Sequence, residues 1–176
     1  MPVFAVTVGR RAESWGEVSD RLFSDRTNGY EGPMTLNLLL GTVIISMTVV
    51  IHTFGLIGIT KGTSLLTARF RMHGRRSRTV AMISVMMGLF AVITAEIWLW
   101  AAFYLMLDVF ADLPTALYFS TTTFATVGFG DVLPNEHWRI LAALEGVNGF
   151  LLIGWSTAYL VAAGTRIGPF RQGEHF

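Results

Sequence analysis

Charge is scarce in this sequence. Only 13 basic and 12 acidic residues occur among 176, which is 14% of the chain, whereas a soluble globular domain carries about 25%. Cysteine is absent, which excludes a disulfide framework, a cysteine-ligated zinc site and a thiol nucleophile. The net charge is only +1, so the basic excess typical of nucleic-acid-binding proteins is missing as well. What is present is apolar: 52% of the residues are hydrophobic, which is typical of a small membrane protein.

Three long stretches are almost free of charge. No charged residue occurs from residue 32 to residue 60, and the runs 79–107 and 140–165 each contain a single acid, Glu96 and Glu145. At about 1.5 Å of rise per helical residue, each run exceeds the roughly 30 Å of bilayer hydrocarbon. The sequence therefore predicts an all-α membrane protein with three transmembrane helices, the first over residues 34–60.

A fourth uncharged run, residues 113–130, has a different composition. It ends in two glycines and carries six hydroxyl residues: Thr115, Ser120, Thr121, Thr122, Thr123 and Thr126. Such a segment makes a poor lipid-facing helix, and non-helical backbone at membrane depth is tolerated only where protein buries it or where it lines a water-filled cavity. We therefore expect a short helix, about Leu113 to Phe124, followed by an extended segment that turns back, which together form a re-entrant loop.

Basic residues are concentrated in one connection. Residues 61–79 contain no acid and six bases: Lys61, Arg69, Arg71, Arg75, Arg76 and Arg78. The positive-inside rule predicts that this link is cytoplasmic, and we expect its five arginines to contact anionic lipid headgroups, in part through a short interfacial helix near residues 65–72.

This orientation divides the chain into regions. The tail 1–33 is then extracytoplasmic, the tail 165–176 is cytoplasmic, and the protein is a multi-pass protein of the plasma membrane, in a bacterium the inner membrane. Trp98, Trp100 and Tyr104 lie toward the outer end of the second span, where aromatic rings prefer the membrane interface.

The re-entrant segment ends in Thr126-Val127-Gly128-Phe129-Gly130-Asp131. A pore that strips water from a monovalent cation must replace the hydration oxygens with a stack of carbonyls. Successive carbonyls point the same way only if the backbone alternates between left- and right-handed conformations, and glycine at every second position permits this. Thr126 can add its hydroxyl as a further oxygen. We expect Val127 and Phe129 to point away from the axis and to wedge against the preceding helix, whose negative C-terminal end favours a cation.

This segment resembles the selectivity filter of the potassium channel pore-module family, in which TVGYGD appears here as TVGFGD. The resemblance covers about residues 80–164, and it implies K⁺ coordination by the carbonyls of Thr126, Val127, Gly128 and Phe129 and by the Thr126 hydroxyl. Gly130 and Asp131 would close the outer mouth, and Phe129 lacks the hydroxyl that commonly ties the filter to its surroundings. The family pore uses four filter strands, so one loop per chain implies a homotetramer. The resemblance implies no enzyme activity and no cofactor besides the permeant K⁺.

Several polar residues inside the spans are further candidates. Glu96 and Glu145, with Thr122 of the short helix, are candidates for a filter brace or a gating role, because intramembrane acids are functional by default. Each acid is either a structural group bonded to pore-helix hydroxyls or to an aromatic N–H, or a protonation-sensitive brace that links pH to gating. His52 is either a proton sensor or a satisfied helix-contact residue.

Small residues in the third span also have two interpretations. Gly149 is a candidate gating hinge by resemblance, whereas glycines equally permit close helix packing. At helical spacing, Leu151, Gly154 and Ala158 line a candidate inner cavity.

Three rival functions remain open from the sequence. A non-selective cation channel on the same scaffold is disfavoured because Phe129 occupies the slot where an altered filter such as TVGDG is expected. A potassium transporter subunit uses several weaker pore loops per chain, and a membrane scaffold leaves the filter motif unexplained. Neither the gating stimulus nor the role of the first span follows from the sequence.

Overall fold

A computed structural model describes residues 31–69 and 75–167 of the chain. In these two ranges there is no strand, and the elements are α1 (Glu31–Arg69), α2 (Arg75–Met106), α3 (Leu113–Phe124), a 3-10 turn (Glu136–Trp138) and α4 (Arg139–Ile167). Three helical stretches are long and apolar enough to cross a membrane: Met34–Leu66, Ser77–Met106 and Glu136–Arg166. The expected all-α membrane fold with three long spans is confirmed. By internal contacts the chain divides into residues 1–36, of which only the start of α1 is described, and residues 37–176.

The first helix is longer than the sequence predicted. α1 continues past Thr60 to Arg69, and α2 begins at Arg75. The apolar run stops at Lys61, but charge does not interrupt backbone hydrogen bonding, and Leu and Ala residues favour continued helix. The expected link 61–79 is therefore largely helical, and up to Arg69 the expected interfacial helix is a continuation of α1.

Few of the arginine side chains can be located. Arg78, near the start of α2, is exposed. Arg71 lies outside the described residues, as do the side chains of Arg69, Arg75 and Arg76. Contact with anionic headgroups therefore stays a prediction.

One face of α1 is buried and is unusually polar. Its buried positions recur at helical spacing: Asn37, Gly41, Ile44, Thr48, His52, Leu56 and Thr63. The opposite face exposes large apolar side chains such as Leu39, Val43, Val50 and Phe54. This reverses the polarity of a helix on a water-soluble protein and matches a membrane helix, where polar side chains face neighbouring helices.

The short helix α3 has the bounds that its sequence predicted. Asp112 caps it, because its carboxylate accepts a hydrogen bond from the Thr115 amide at 2.9 Å and from the Thr115 hydroxyl at 2.9 Å, and Pro114 occupies the first turn, where its missing N–H costs nothing. Phe119 of α3 packs edge-on against Tyr104 of α2, with ring centroids 5.4 Å apart.

Two of the aromatic residues assigned to the membrane interface belong to the core instead. Trp100 and Tyr104 are fully buried, whereas Trp98 is 49% exposed. The sequence showed how far each residue lies along α2 but not which side of the helix it occupies, so the interface assignment is wrong for Trp100 and Tyr104.

Candidate functional site

The backbone alternates in hand along the segment that follows α3. Thr126, Gly128 and Gly130 have φ of 59°, 50° and 77°, and Val127 and Phe129 between them are not among the described positive-φ residues. Gly128 and Gly130 adopt this conformation freely. Thr126 is β-branched, and a positive φ is a genuine outlier for such a residue. Outliers of this kind cluster at functional sites, where the surroundings enforce them.

Backbone hydrogen bonds show where the carbonyls of this segment point. The amides of Val127 and Gly128 donate to the same acceptor, the Thr122 carbonyl, at 2.9 and 3.0 Å. In a planar trans peptide the C=O is antiparallel to the N–H, and none of the described peptide bonds is cis. The carbonyls of Thr126 and Val127 therefore both project away from the end of α3, on one side of the chain.

The last turn of α3 supplies the acceptors for this arrangement. The Thr126 amide donates to the Thr123 carbonyl at 2.9 Å, so the C-terminal carbonyls of the helix are used by the loop itself. Thr122, a candidate brace, acts through its backbone carbonyl, whereas its hydroxyl donates to the Phe119 carbonyl at 3.0 Å. No pattern in the sequence indicated this role of the Thr122 backbone.

The apolar side chains of the segment are not covered by their own helix. Val127 is 55% exposed and Phe129 is 70% exposed, so the expected wedge against α3 is largely missing within a single chain.

A hydrogen bond ties the end of the segment back to α3. The Tyr118 hydroxyl donates to a carboxylate oxygen of Asp131 at 2.8 Å. This bond raises the pKa of the Tyr118 hydroxyl above its ordinary value of 10.0, because loss of the proton would place two negative groups side by side. Asp131, predicted at the outer mouth, is thus held by α3.

Behind the segment, one buried carboxylate joins three helices. Glu145 of α4 is fully buried and accepts hydrogen bonds from the Tyr104 hydroxyl of α2, at 2.7 Å, and from the Ser120 hydroxyl of α3. Ser120 also lies 3.1 Å from the Ile97 carbonyl of α2. Glu145 therefore fixes α3 against the two long helices on either side of it.

The other intramembrane acid has a different partner. Glu96 of α2 is fully buried, and one carboxylate oxygen lies 2.9 Å from Nδ1 of His52 of α1. Its second oxygen, and the indole N–H of Trp100 one turn further along, have no hydrogen-bond partner in the described ranges. No hydrogen bond from Glu96 to α3 is found there, so the two acids that looked alike in the sequence belong to different contacts.

Polar side chains extend this second contact to α4. Nε2 of His52 lies 3.5 Å from the Ser156 hydroxyl, and the His52 ring lies 5.1 Å from the Trp155 ring. One helical turn away, the Asn148 side chain donates to the Thr48 hydroxyl at 3.0 Å. The sequence singled out His52 and Glu96 separately, but their pairing and the contact with Ser156 have no sequence signature, since the partners lie 44 and 104 residues away.

Gly149 lies directly against the backbone of α3. A Cβ at this position would fall 2.7 Å from the carbonyl carbon of Phe124 and closer still to its oxygen. A Cβ at Gly154 would meet nothing within 4 Å, and Gly154, Leu151 and Ala158 are all exposed. Close packing thus explains Gly149, while its function as a hinge stays a prediction.

The segment can offer backbone carbonyls, held by α3, to a dehydrated cation, and α2 and α4 hold α3 in place. A comparison with protein families agrees with this geometry: the family model described as an ion channel matches residues 90–166. No curated protein and no solved structure matches the chain. The matched residues comprise the later part of α2, α3, the segment after it and almost all of α4, whereas α1 lies outside them. Residues 90–166 are therefore similar to the ion channel family.

Proposed function

We propose that the chain is one of four identical subunits of a potassium-selective channel, which conducts K⁺ passively through a filter built from residues 126–130 of each subunit. The observation that carries this proposal is the pair of amides that converge on the Thr122 carbonyl. This pair turns the carbonyls of Thr126 and Val127 to the same side. Stacked carbonyls of this kind replace the hydration shell of K⁺.

Selectivity for K⁺ rests on the filter sequence. Gly128 and Gly130 sustain the alternation beyond Thr126, so the carbonyls of Gly128 and Phe129 can continue the stack as the resemblance to TVGYGD implies. Replacement of the family tyrosine by Phe129 leaves this backbone pattern intact. A non-selective cation channel on the same scaffold is the alternative.

We infer assembly into a tetramer because the carbonyls of one chain cannot surround an ion. A single segment offers carbonyls from one side only, and a dehydrated ion needs oxygens all around it. The exposed side chains of Val127 and Phe129 provide apolar surface for neighbouring subunits. Below the filter, the exposed residues Leu151, Gly154 and Ala158 of α4 would line the inner cavity.

The membrane orientation belongs to the same proposal. By the positive-inside rule, the basic residues at the end of α1 and the start of α2 would lie in the cytoplasm. The filter would then open to the outside, and α4 would end inside the cell, in the bacterial inner membrane. Arg78 and its neighbours would then contact anionic headgroups of the inner leaflet.

The decisive experiment is a reversal-potential measurement on purified protein in planar bilayers with opposed K⁺ and Na⁺ gradients. We expect the reversal potential to follow the K⁺ gradient. A reversal potential that ignores K⁺ would overturn the proposal, and equal permeability of the two ions would establish the non-selective alternative.

A pair of glycine variants makes this experiment specific to the filter backbone. A Cβ at Gly128 and a Cβ at Gly154 both meet open space within the chain, but only Gly128 has a positive φ. Gly128→Ala costs about 1–2 kcal/mol through conformation alone, and we expect it to abolish K⁺ selectivity. Gly154→Ala should retain it. Equal selectivity in the two variants would contradict a role for the alternating backbone.

A further inference from the structure

α1 lies outside the residues matched by the ion channel family. The number of residues that separates each α1 residue from its partner in α4, or in the turn before α4, is nearly constant. Partners in contact are separated by 100, 100, 104 and 99 residues: Asn37 with the His137 carbonyl, Thr48 with Asn148, His52 with Ser156, and Thr60 with Tyr159. In an antiparallel pair this separation would change by two for every residue along the helix, whereas in a parallel pair it stays fixed. From Asn37 to Thr60, α1 and α4 therefore run in the same direction and in register.

Hydrogen bonds make this parallel contact persistent. At the filter end, Asn37 donates to the His137 carbonyl at 2.7 Å, and toward the opposite end the hydroxyls of Thr60 and Tyr159 lie 2.8 Å apart. In a bilayer no water replaces a broken bond, so the buried bond between Asn148 and Thr48 is retained unless another partner is found. The contacts thus hold α1 to the turn before α4 at one end, and to α4 itself in the middle and toward the other end.

The contact between α1 and α2 is shorter and begins midway along α1. It starts at His52, whose Nδ1 lies 2.9 Å from Glu96, and continues where Gly55 faces Val92 and Gly88 faces Ile59. His52 lies within hydrogen-bonding distance of both neighbouring helices, since its other nitrogen is 3.5 Å from Ser156 of α4.

We propose that α1 moves together with α4 when the channel opens, and that His52, held by Glu96 of α2, is the joint about which this pair of helices moves. The inference rests on the proposed function, because a pore lined by α4 opens when α4 changes its position relative to α2. A helix bonded to α4 along its length follows that displacement. His52 lies where α1, α2 and α4 meet, and it positions the two pore-domain helices without touching the ion.

The absence of cysteine from the sequence permits a direct test with pairs of introduced cysteines. Cβ atoms joined by a disulfide are about 3.5–4.5 Å apart. A Cβ at Gly41 would lie 3.6 Å from Cβ of Leu144 on α4, within this range, and a Cβ at Gly55 would lie 3.3 Å from Cβ of Val92 on α2, just below it. The pair G41C/L144C therefore fastens α1 to α4, and the matched pair G55C/V92C fastens α1 to α2.

Single-channel currents are recorded for both variants, oxidised and then reduced with dithiothreitol. We expect the bridge to α4 to leave opening unchanged, and the bridge to α2 to arrest opening until it is reduced. Arrest by the α4 bridge, or free opening with both bridges formed, would overturn the proposal. If only the α2 bridge fails to form, its failure would also count against the close contact from which the joint is inferred.

His52 is tested by a double-mutant cycle. H52Q and E96Q should each change open probability about tenfold, the size of a typical coupling between sites, and the double variant should change it no further, because both remove one interaction. The exchange H52E/E96H should restore part of the loss, which a merely structural defect would not allow. F54L, on the exposed face of α1, is the control. Additive effects of H52Q and E96Q would remove His52 from the joint.

These experiments separate the inference from the function on which it rests. Opening is measured whichever cation carries the current, so a reduced protein that conducts without preferring K⁺ refutes the proposed selectivity and leaves the bridge comparison valid. A reduced protein that carries no current refutes both.

Discussion

Two helix contacts in this protein use similar residues and differ in rigidity. Behind the filter, α4 meets α3 through Gly149, where the neighbouring atoms are the backbone of Phe124. Along α1, Gly41 and Gly55 also allow close approach, but the atoms nearest to their added Cβ positions belong to the side chains of Leu144 and Val92. A side chain can change rotamer, whereas the backbone at the end of α3 cannot move without moving the filter.

The two buried acids, Glu145 and Glu96, also differ in how firmly they hold the helices around them. Glu145 accepts hydrogen bonds from two helices, through Tyr104 and Ser120, and α3 is thereby fixed on both sides. Glu96 has a described partner for one oxygen only, His52. The first contact holds α3, which in turn holds the filter backbone, while the second leaves capacity for rearrangement. The difference indicates that position is fixed behind residues 126–130 and that motion is allowed where α1 meets α2.

The largest expected difference between the two contacts comes from replacing one glycine in each of them by alanine, which adds one methyl group. Gly149→Ala brings a Cβ against the Phe124 carbonyl, which no rotamer change relieves, and should lower the free energy of unfolding by about 3 kcal/mol and abolish K⁺-selective current. Gly41→Ala meets a movable Leu144 side chain and should cost at most about 1 kcal/mol. Thermal unfolding in detergent and the reversal potential measure both.

Two outcomes would remove the distinction between the contacts. If Gly149→Ala unfolded at the wild-type temperature and changed only the opening, Gly149 would be a hinge and not a packing contact. If Gly41→Ala were as destabilising as Gly149→Ala, the contact along α1 would be as rigid as the one behind the filter.

Much of the pore region could be predicted because its signals are local. The bounds of α3 follow from the Asp112 cap and Pro114, and two of the three positive φ values follow from Gly128 and Gly130. The left-handed Thr126 could not be predicted, because it is imposed by the carbonyls at the end of α3 against the preference of the residue.

The contacts of α1 could not be predicted for a different reason. The pattern of charge showed that Glu96, Glu145 and His52 lie inside the membrane and need partners, but nothing local shows which helix each one faces. The pairing of His52 with Glu96 depends on which face of α1 packs against α2. The end of α1 was also predicted too early, because a rule based on charge cannot detect helix that continues past Lys61.

Replacement of the two acids by leucine should separate stability from selectivity. Glu145→Leu leaves the buried Tyr104 hydroxyl without its acceptor, and Glu96→Leu leaves Nδ1 of His52 without its partner, so each should cost about 1–3 kcal/mol. Only Glu145→Leu releases α3, and we expect the reversal potential to shift toward that of a weakly selective pore in this variant alone. Calorimetry and bilayer recording of both variants test this. A similar loss of selectivity in Glu96→Leu would mean that both acids support the filter.

The smallest effect is expected at the exposed edge of the filter, where the bond from Tyr118 to Asp131 lies outside both buried contacts. Tyr118→Phe removes this bond and should leave the unfolding temperature unchanged, because Tyr118 is exposed, but it should hasten the decay of current during sustained activity.

The raised pKa of Tyr118 sets the pH dependence: the bond is fully present below pH 10 and is lost as the pH rises through the raised pKa. Wild-type current should therefore decay faster above pH 10, approaching the behaviour of Tyr118→Phe, whose own decay rate should not vary over that range. If the decay in Tyr118→Phe accelerated with pH as steeply as in the wild type, another group would be responsible, and the filter edge would be held by the buried contacts alone.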